Sequence, residues 1–213
     1  MSNADPASPV VEIRDVPAAE RDERRRIARR WWQSLQPLRP DGTPNRDADR
    51  GALARLRRAA TPGDILDEEA VFDLHRRLRF GRSKSDDTLV RVAIAASVLA
   101  RVREHDPERK PARAAGRDRF GDRDLETAAL SPGRLRRLLA ARDPDEVHRQ
   151  MRRLVDLCGP NLDVGALAAL ILDWFDEERG RKARTRFAYD YYAASGSLAD
   201  AEFRAAPPAP AAP

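Results

Sequence analysis

Apolar residues recur every three or four positions through most of this chain, the spacing that lines up one buried stripe along a helix. The clearest case runs from Ser131 to Cys158, where Leu135, Leu138 and Leu139, then Val147, Met151, Leu154, Val155 and Cys158, trace two stripes in tandem. Each stripe has its own start signal. Ser131-Pro132 offers a hydroxyl cap and then a proline at the first helical position, where its missing N–H costs nothing. Asp143-Pro144-Asp145-Glu146 repeats the arrangement and adds carboxylates at the positive end of the helix dipole.

Residues 1–19 show no period and read as a disordered N-terminal arm. From Glu20 to Gln36 a helix carries Ile27, Trp31 and Leu35 inward and Arg21, Arg24, Arg25, Arg26, Arg29 and Arg30 outward. Trp32 is weighed as a base-stacking residue against the commoner role of core. A loop follows over 37–46. Asp47 or Asp49 then caps a helix through Arg58, with Leu53 and Leu56 inward and Arg50, Arg57 and Arg58 outward. Thr61 to Asp64 opens a turn, and the next helix is anchored by Val71, Phe72, Leu74 and Leu78. Asp86 to Arg103 is the most apolar helix and suits the centre of a first lobe. Residues 104–123 mix both charges with proline and glycine and read as a linker. Beyond Gly159-Pro160, Asp163 caps a helix with Leu167, Leu170, Ile171, Trp174 and Phe175 inward. Gly180 marks a bend before a last helix over 181–194. No alternating strand of useful length appears. The expectation is an all-α protein, with helical lobes at 20–104 and 125–195 joined by a charged linker at 105–124. A disordered proline/alanine tail is expected over 196–213.

Charge adds a direction to this outline. The 213 residues hold 40 Lys and Arg against 35 Asp and Glu, so the net +5 is modest and its distribution matters more. Seven arginines (134, 136, 137, 142, 149, 152 and 153) lie outside the two tandem stripes, while the carboxylates crowd the turn between them. Guanidinium groups fixed on rigid helices suit a phosphate backbone. A merely solvated helix face is the plain alternative. Cys158 is the only cysteine and sits on an apolar stripe, so it reads as core. No run approaches a membrane span and no apolar signal segment opens the chain, so a cytoplasmic protein is expected. Catalysis finds little support. His75, His105 and His148 lie on separate elements without metal-ligand spacing, His148 being expected partly exposed. Asp122, Asp124 and Glu126 make a triplet of the kind charge-mixed loops often produce. No phosphate-binding glycine loop or nucleophile elbow is present.

Four stretches also carry a family likeness: RGALARLRRA (50–59), the Ser-x-x-Arg helix followed by LL and then MRRLV (131–155), LDVGALAALILDW (162–174) and RTRFAYDYY (184–192). Together they resemble the Cse2 (CasB) family, the small subunit of the type I-E CRISPR surveillance complex, Cascade. The resemblance implies an all-α, non-catalytic subunit without a cofactor, present as a pair in the complex beside the other Cascade subunits. There it would hold target DNA against guide RNA and steady the displaced strand, through backbone contacts without sequence preference. It also implies which residues meet nucleic acid: Arg57 and Arg58, approximately Lys84, Arg134 of the Ser-x-x-Arg pattern, Arg142 after the LL, and Arg152 with Arg153. Arg137, outward on the Arg134 helix, joins them. Leu135 and Phe187 stand where members often carry an aromatic and a tryptophan.

Two other classes remain open on the residues alone. A helix-turn-helix regulator has short enough connections, but its outward groups should include Asn, Gln, Ser or Thr, and Gln150 is nearly alone. A helical scaffold would use its arginines only to pair with partner carboxylates.

Overall fold

The computed structural model describes residues 18–79, 86–116 and 128–194, and the fold is all-α. Its organising element is α4 (Asp86–Arg101), in which every residue from Val92 to Ala100 is buried. A stretch hidden on all sides must be apolar all round, as Val92–Ala100 is apart from Ser97. Alanines at 93, 95, 96 and 100 let neighbouring helices approach its backbone closely.

Around α4 pack α2 (Arg50–Arg58), α3 (Glu69–Leu78), α7 (Pro144–Cys158) and α8 (Val164–Trp174). Elements from both halves of the sequence thus share one hydrophobic cluster that runs from Ala28 to Tyr191. The amphipathic α1 (Ala18–Leu35) lies against α8 and α3. Trp31 donates its indole N–H to the Ala70 carbonyl at 3.0 Å, and Trp32 donates to Val102 at 3.1 Å. Both rings are core, so Trp32 is not available to stack on a base.

Most start signals act as the sequence suggests. Asp49 accepts from the Ala52 N–H, Asp143 from Glu146 and Asp163 from Ala166, each capping its helix. Ser131 sits at the cap position of α6 (Pro132–Ala140), but its hydroxyl makes no capping bond, and Pro132 alone marks the start. Gly159, at φ +91°, ends α7 in a conformation a side chain would resist.

Several expectations need correction. Phe72 is 43% exposed rather than an anchor, because Val71, Leu74 and Leu78 already fill the buried face of α3. Gly180 does not mark a bend: α9 (Glu177–Ala194) begins before it, and the glycine lets α9 press against the end of α8. A Cβ there would stand 2.4 Å from the Trp174 carbonyl oxygen. The described part of the expected linker is ordered as well. Glu104–His105 (β1) pairs in parallel with Asn161–Leu162 (β2), and Pro111–Gly116 forms α5, buried against α9. Gly116 permits that approach, since a Cβ would fall 2.1 Å from the Tyr191 carbonyl oxygen.

His148 is fully buried, not partly exposed. Its Nε2 lies 2.9 Å from Ser97 Oγ, and that hydroxyl donates to the Leu56 carbonyl at 3.0 Å. With the serine proton committed to Leu56, the imidazole must be the donor, so it carries a proton at Nε2. Burial, reinforced by Arg152, pushes its pKa from 6.5 to about 4, against the weaker pull of Asp145 and Asp64.

Two measurements test this packing. Below pH 6.5 the unfolded chain takes up a proton at His148 that the folded chain refuses until about pH 4. Stability should therefore fall across that interval by on the order of 3 kcal/mol and level off below it. Urea midpoints against pH should show this component in the native chain and lose it in His148→Gln. Gly116→Ala should lower the urea midpoint by an amount corresponding to about 2 kcal/mol, since the methyl has backbone in its way.

Candidate nucleic-acid interface

The last carbonyls of a helix have no intrahelical partner and carry the negative end of its dipole. At the end of α2 they are met by arginines from two other helices. Arg101, closing α4, donates Nη1 to the Arg57 carbonyl at 3.2 Å. Arg152, on α7, donates to the Arg57 carbonyl at 3.4 Å and also to the Ala59 carbonyl. Arg57 reaches the other way, its Nε donating to the Ala100 carbonyl of α4 at 2.5 Å. Three guanidinium groups thus stitch α2, α4 and α7 together at one edge of the molecule.

Arg103 completes the cluster. With Arg57, Arg101, Asp156 and Gly159 it lines a groove of about 320 Å³. Asp156 is the one carboxylate in that lining, and Arg101 binds it through Nε at 2.9 Å and Nη2 at 2.6 Å. No second carboxylate lines the groove. Burial first, then Arg103 and Arg101, lower the Arg57 pKa from its ordinary value. Burial and Arg101 lower that of Arg152, while Asp156 works in the opposite direction. Like charges crowd here, and an anion in the groove would relieve them.

The expected site residues divide into two groups. Arg57 and Arg152 meet in this cluster, although they are 95 residues apart in sequence. Arg58 and Arg153 follow them on the same helices and are exposed, Arg58 lying back along α2 to the Ala54 carbonyl at 3.1 Å. On α6, Arg137 is exposed and Arg134 half-buried. Arg142 folds back on the end of α6, donating to the Leu139 and Ala141 carbonyls at 2.7 and 2.8 Å. Its basic neighbour is Arg184 of α9. No hydrogen bond or ion pair among the described residues joins Arg134, Arg137 or Arg142 to the Arg57–Arg152 cluster. In the first turns of α7, Arg149 is instead paired with Glu146. Lys84 lies outside the described residues.

Arg101 and Arg103 were not singled out from the sequence. Arg101 ends, and Arg103 follows, a helix so apolar that its periodicity names no outward face, so no pattern pointed to them. Among the described residues no group of three or more His, Cys, Asp or Glu is placed to hold a metal. Asp122, Asp124 and Glu126 lie outside those residues. Among the described residues no helix is long and apolar enough to cross a membrane.

A family model described as CRISPR-associated protein Cse2 matches residues 52–192, a stretch that contains every arginine of the groove. No curated protein and no solved structure matches the chain.

The arginines should separate by role when truncated. Arg57→Ala or Arg152→Ala removes partners from helix-end carbonyls and should cost about 1 kcal/mol of stability. Arg58→Ala and Arg153→Ala should stay within about 0.5 kcal/mol of the native chain. Chemical denaturation of the four variants checks the division.

Proposed function

Because the chain belongs to the Cse2 family of CRISPR-associated proteins, and is thereby a Cascade subunit, we propose that its arginine groove holds a nucleic-acid backbone in the complex. The observation that carries this reading is the convergence of Arg57, Arg101, Arg103 and Arg152 with a single carboxylate to answer them. Arg58 and Arg153 extend the cluster into solvent. Arg134, Arg137, Arg142 and Lys84 are part of the same proposal as further contacts with the backbone.

The subunit acts as a clamp without catalysis of its own. Six arginines, each neutralising one phosphate of a single strand, set a logarithmic salt slope of roughly −4. Binding by one free copy is then weak at physiological salt. Tethering two copies into a cytoplasmic assembly that already grips guide RNA and target DNA raises their effective concentration. R-loop formation is a near-balanced strand exchange, so even modest capture of the target or displaced strand shifts it towards the open loop. Sequence preference is absent, because phosphates carry no base identity. Gln150, the outward amide an operator-reading helix would need, is held by Glu146 at 2.7 Å.

One observation favours a scaffold instead: Arg57, Arg101 and Arg152 already spend donors on carbonyls of this chain. Arg58, Arg103 and Arg153 discriminate, because their side chains hold no other helix in place. Changing all three to Glu should leave thermal stability unchanged. The same change should flatten the salt slope for single-stranded DNA by about 2 and reduce R-loop lifetime in the assembled complex. Unaltered binding and R-loop lifetime, or a complex lacking the subunit that opens and holds target DNA equally well, would leave the scaffold reading in possession.

A further inference from the structure

We infer that a second groove, beside the 37–46 loop, is a nucleobase subsite for single-stranded nucleic acid, contiguous with the arginine groove; this rests on the backbone reading above. The occupant is argued from shape and charge together. Pro37, Leu38, Pro44 and Leu53 form an apolar floor in a groove of about 570 Å³. Its rim is Arg50, Arg57 and Arg58, and no carboxylate lines it. Positions 50, 57 and 58 fall on one face of α2, the spacing that gathers three guanidinium groups along a single edge.

Leu38 is 57% exposed, yet it is held firmly in that position. It bridges to Pro44, while the Arg39 N–H donates to the Thr43 carbonyl at 2.8 Å and the Asn45 N–H to Pro37 at 2.9 Å. Gly42, at φ +81°, makes the turn, and Asp41 accepts from both the Thr43 N–H and its hydroxyl. The buried Asn45 amide anchors the loop to the Ser34 and Gln36 carbonyls, at 3.1 and 3.0 Å. A leucine and two proline rings fixed in water form an apolar shelf, a surface that gains by covering a flat ring.

A nucleotide of a single strand matches both parts, with its base on the shelf and its phosphate at the rim. Arg57 lines this groove and the arginine groove alike, so one strand passes from one to the other without a break. Pro37, Leu38, Pro44 and Arg50 all precede residue 52, where the family match begins. An acidic peptide with an apolar side chain is the competing occupant. A nucleotide is favoured because Arg57 continues the path into a groove whose own charge is that of a backbone site.

The test compares two single strands of equal charge by fluorescence anisotropy at low ionic strength. One is oligothymidylate of about a dozen nucleotides, and the other carries abasic tetrahydrofuran sugars throughout. The native chain should bind the strand with bases about fivefold more tightly. Leu38→Ser should erase that difference while keeping both the abasic affinity and the melting temperature. Equal binding of the two strands by the native chain would overturn the subsite and leave the backbone reading intact. Failure to bind either strand would overturn both. A Glu/Leu peptide that displaces oligothymidylate from the native chain, but binds Leu38→Ser poorly, would assign the groove to a protein partner instead.

Discussion

The structure depends on how the polar groups at and within the buried stretch of α4 are satisfied. Between Val92 and Ala100 the only polar side chain is Ser97, which donates to Leu56 of α2 and accepts from His148 of α7. Unpaired, each of these groups would cost on the order of 1–3 kcal/mol, so the hydrogen-bond chain also specifies how three helices register. At the end of α4 the same task falls to arginine, with Arg57 taking the Ala100 carbonyl. Arg101 and Arg152 close the neighbouring end of α2.

That arrangement explains why arginine, rather than lysine, occupies these positions. A guanidinium has five N–H donors in a rigid fork, so one edge can serve a carbonyl while another faces outward. Arg57 commits Nε to Ala100 and still lines both grooves. Structural bonding and anion binding are compatible in one side chain. The stitched cluster is also preorganised, since its rotamers are set before any ligand arrives, and binding then loses less side-chain entropy.

Two levels of burial follow for function. The largest fully buried side chains, Trp31, Trp174 and Tyr191, are all aromatic and lie in the core, and Tyr191 donates its hydroxyl to the Leu130 carbonyl at 2.7 Å. The apolar surface next to the arginines comes instead from Leu38 and prolines on a pinned loop. Charge and apolar shelf meet along α2, which supplies one face to the core and the other to both grooves.

Helix positions, the caps at Asp143 and Asp163, the α7 stripe and the absence of long strands were all legible from local pattern, because these depend on neighbours within one turn. The four stretches that pointed to the family were legible for the same reason: each is one helix, or two in tandem, with its flanks. The faces of α3 and α7 were less so. Phe72 and His148 sit beside stripe residues, and which side of a stripe is covered depends on what packs there. Residues 104–116 carried no period because α5 is too short for one, and because its approach to α9 relies on a missing side chain at Gly116. Sequence alone therefore determined the longer helices, their order and an excess of outward arginine. Only the tertiary structure decided that Arg57, Arg101 and Arg103 share one groove, with Arg152 bonded to the Arg57 carbonyl beside it. The reason is physical: helix formation is governed by contacts three and four residues apart, whereas a charge cluster is made by the packing of helices tens of residues apart.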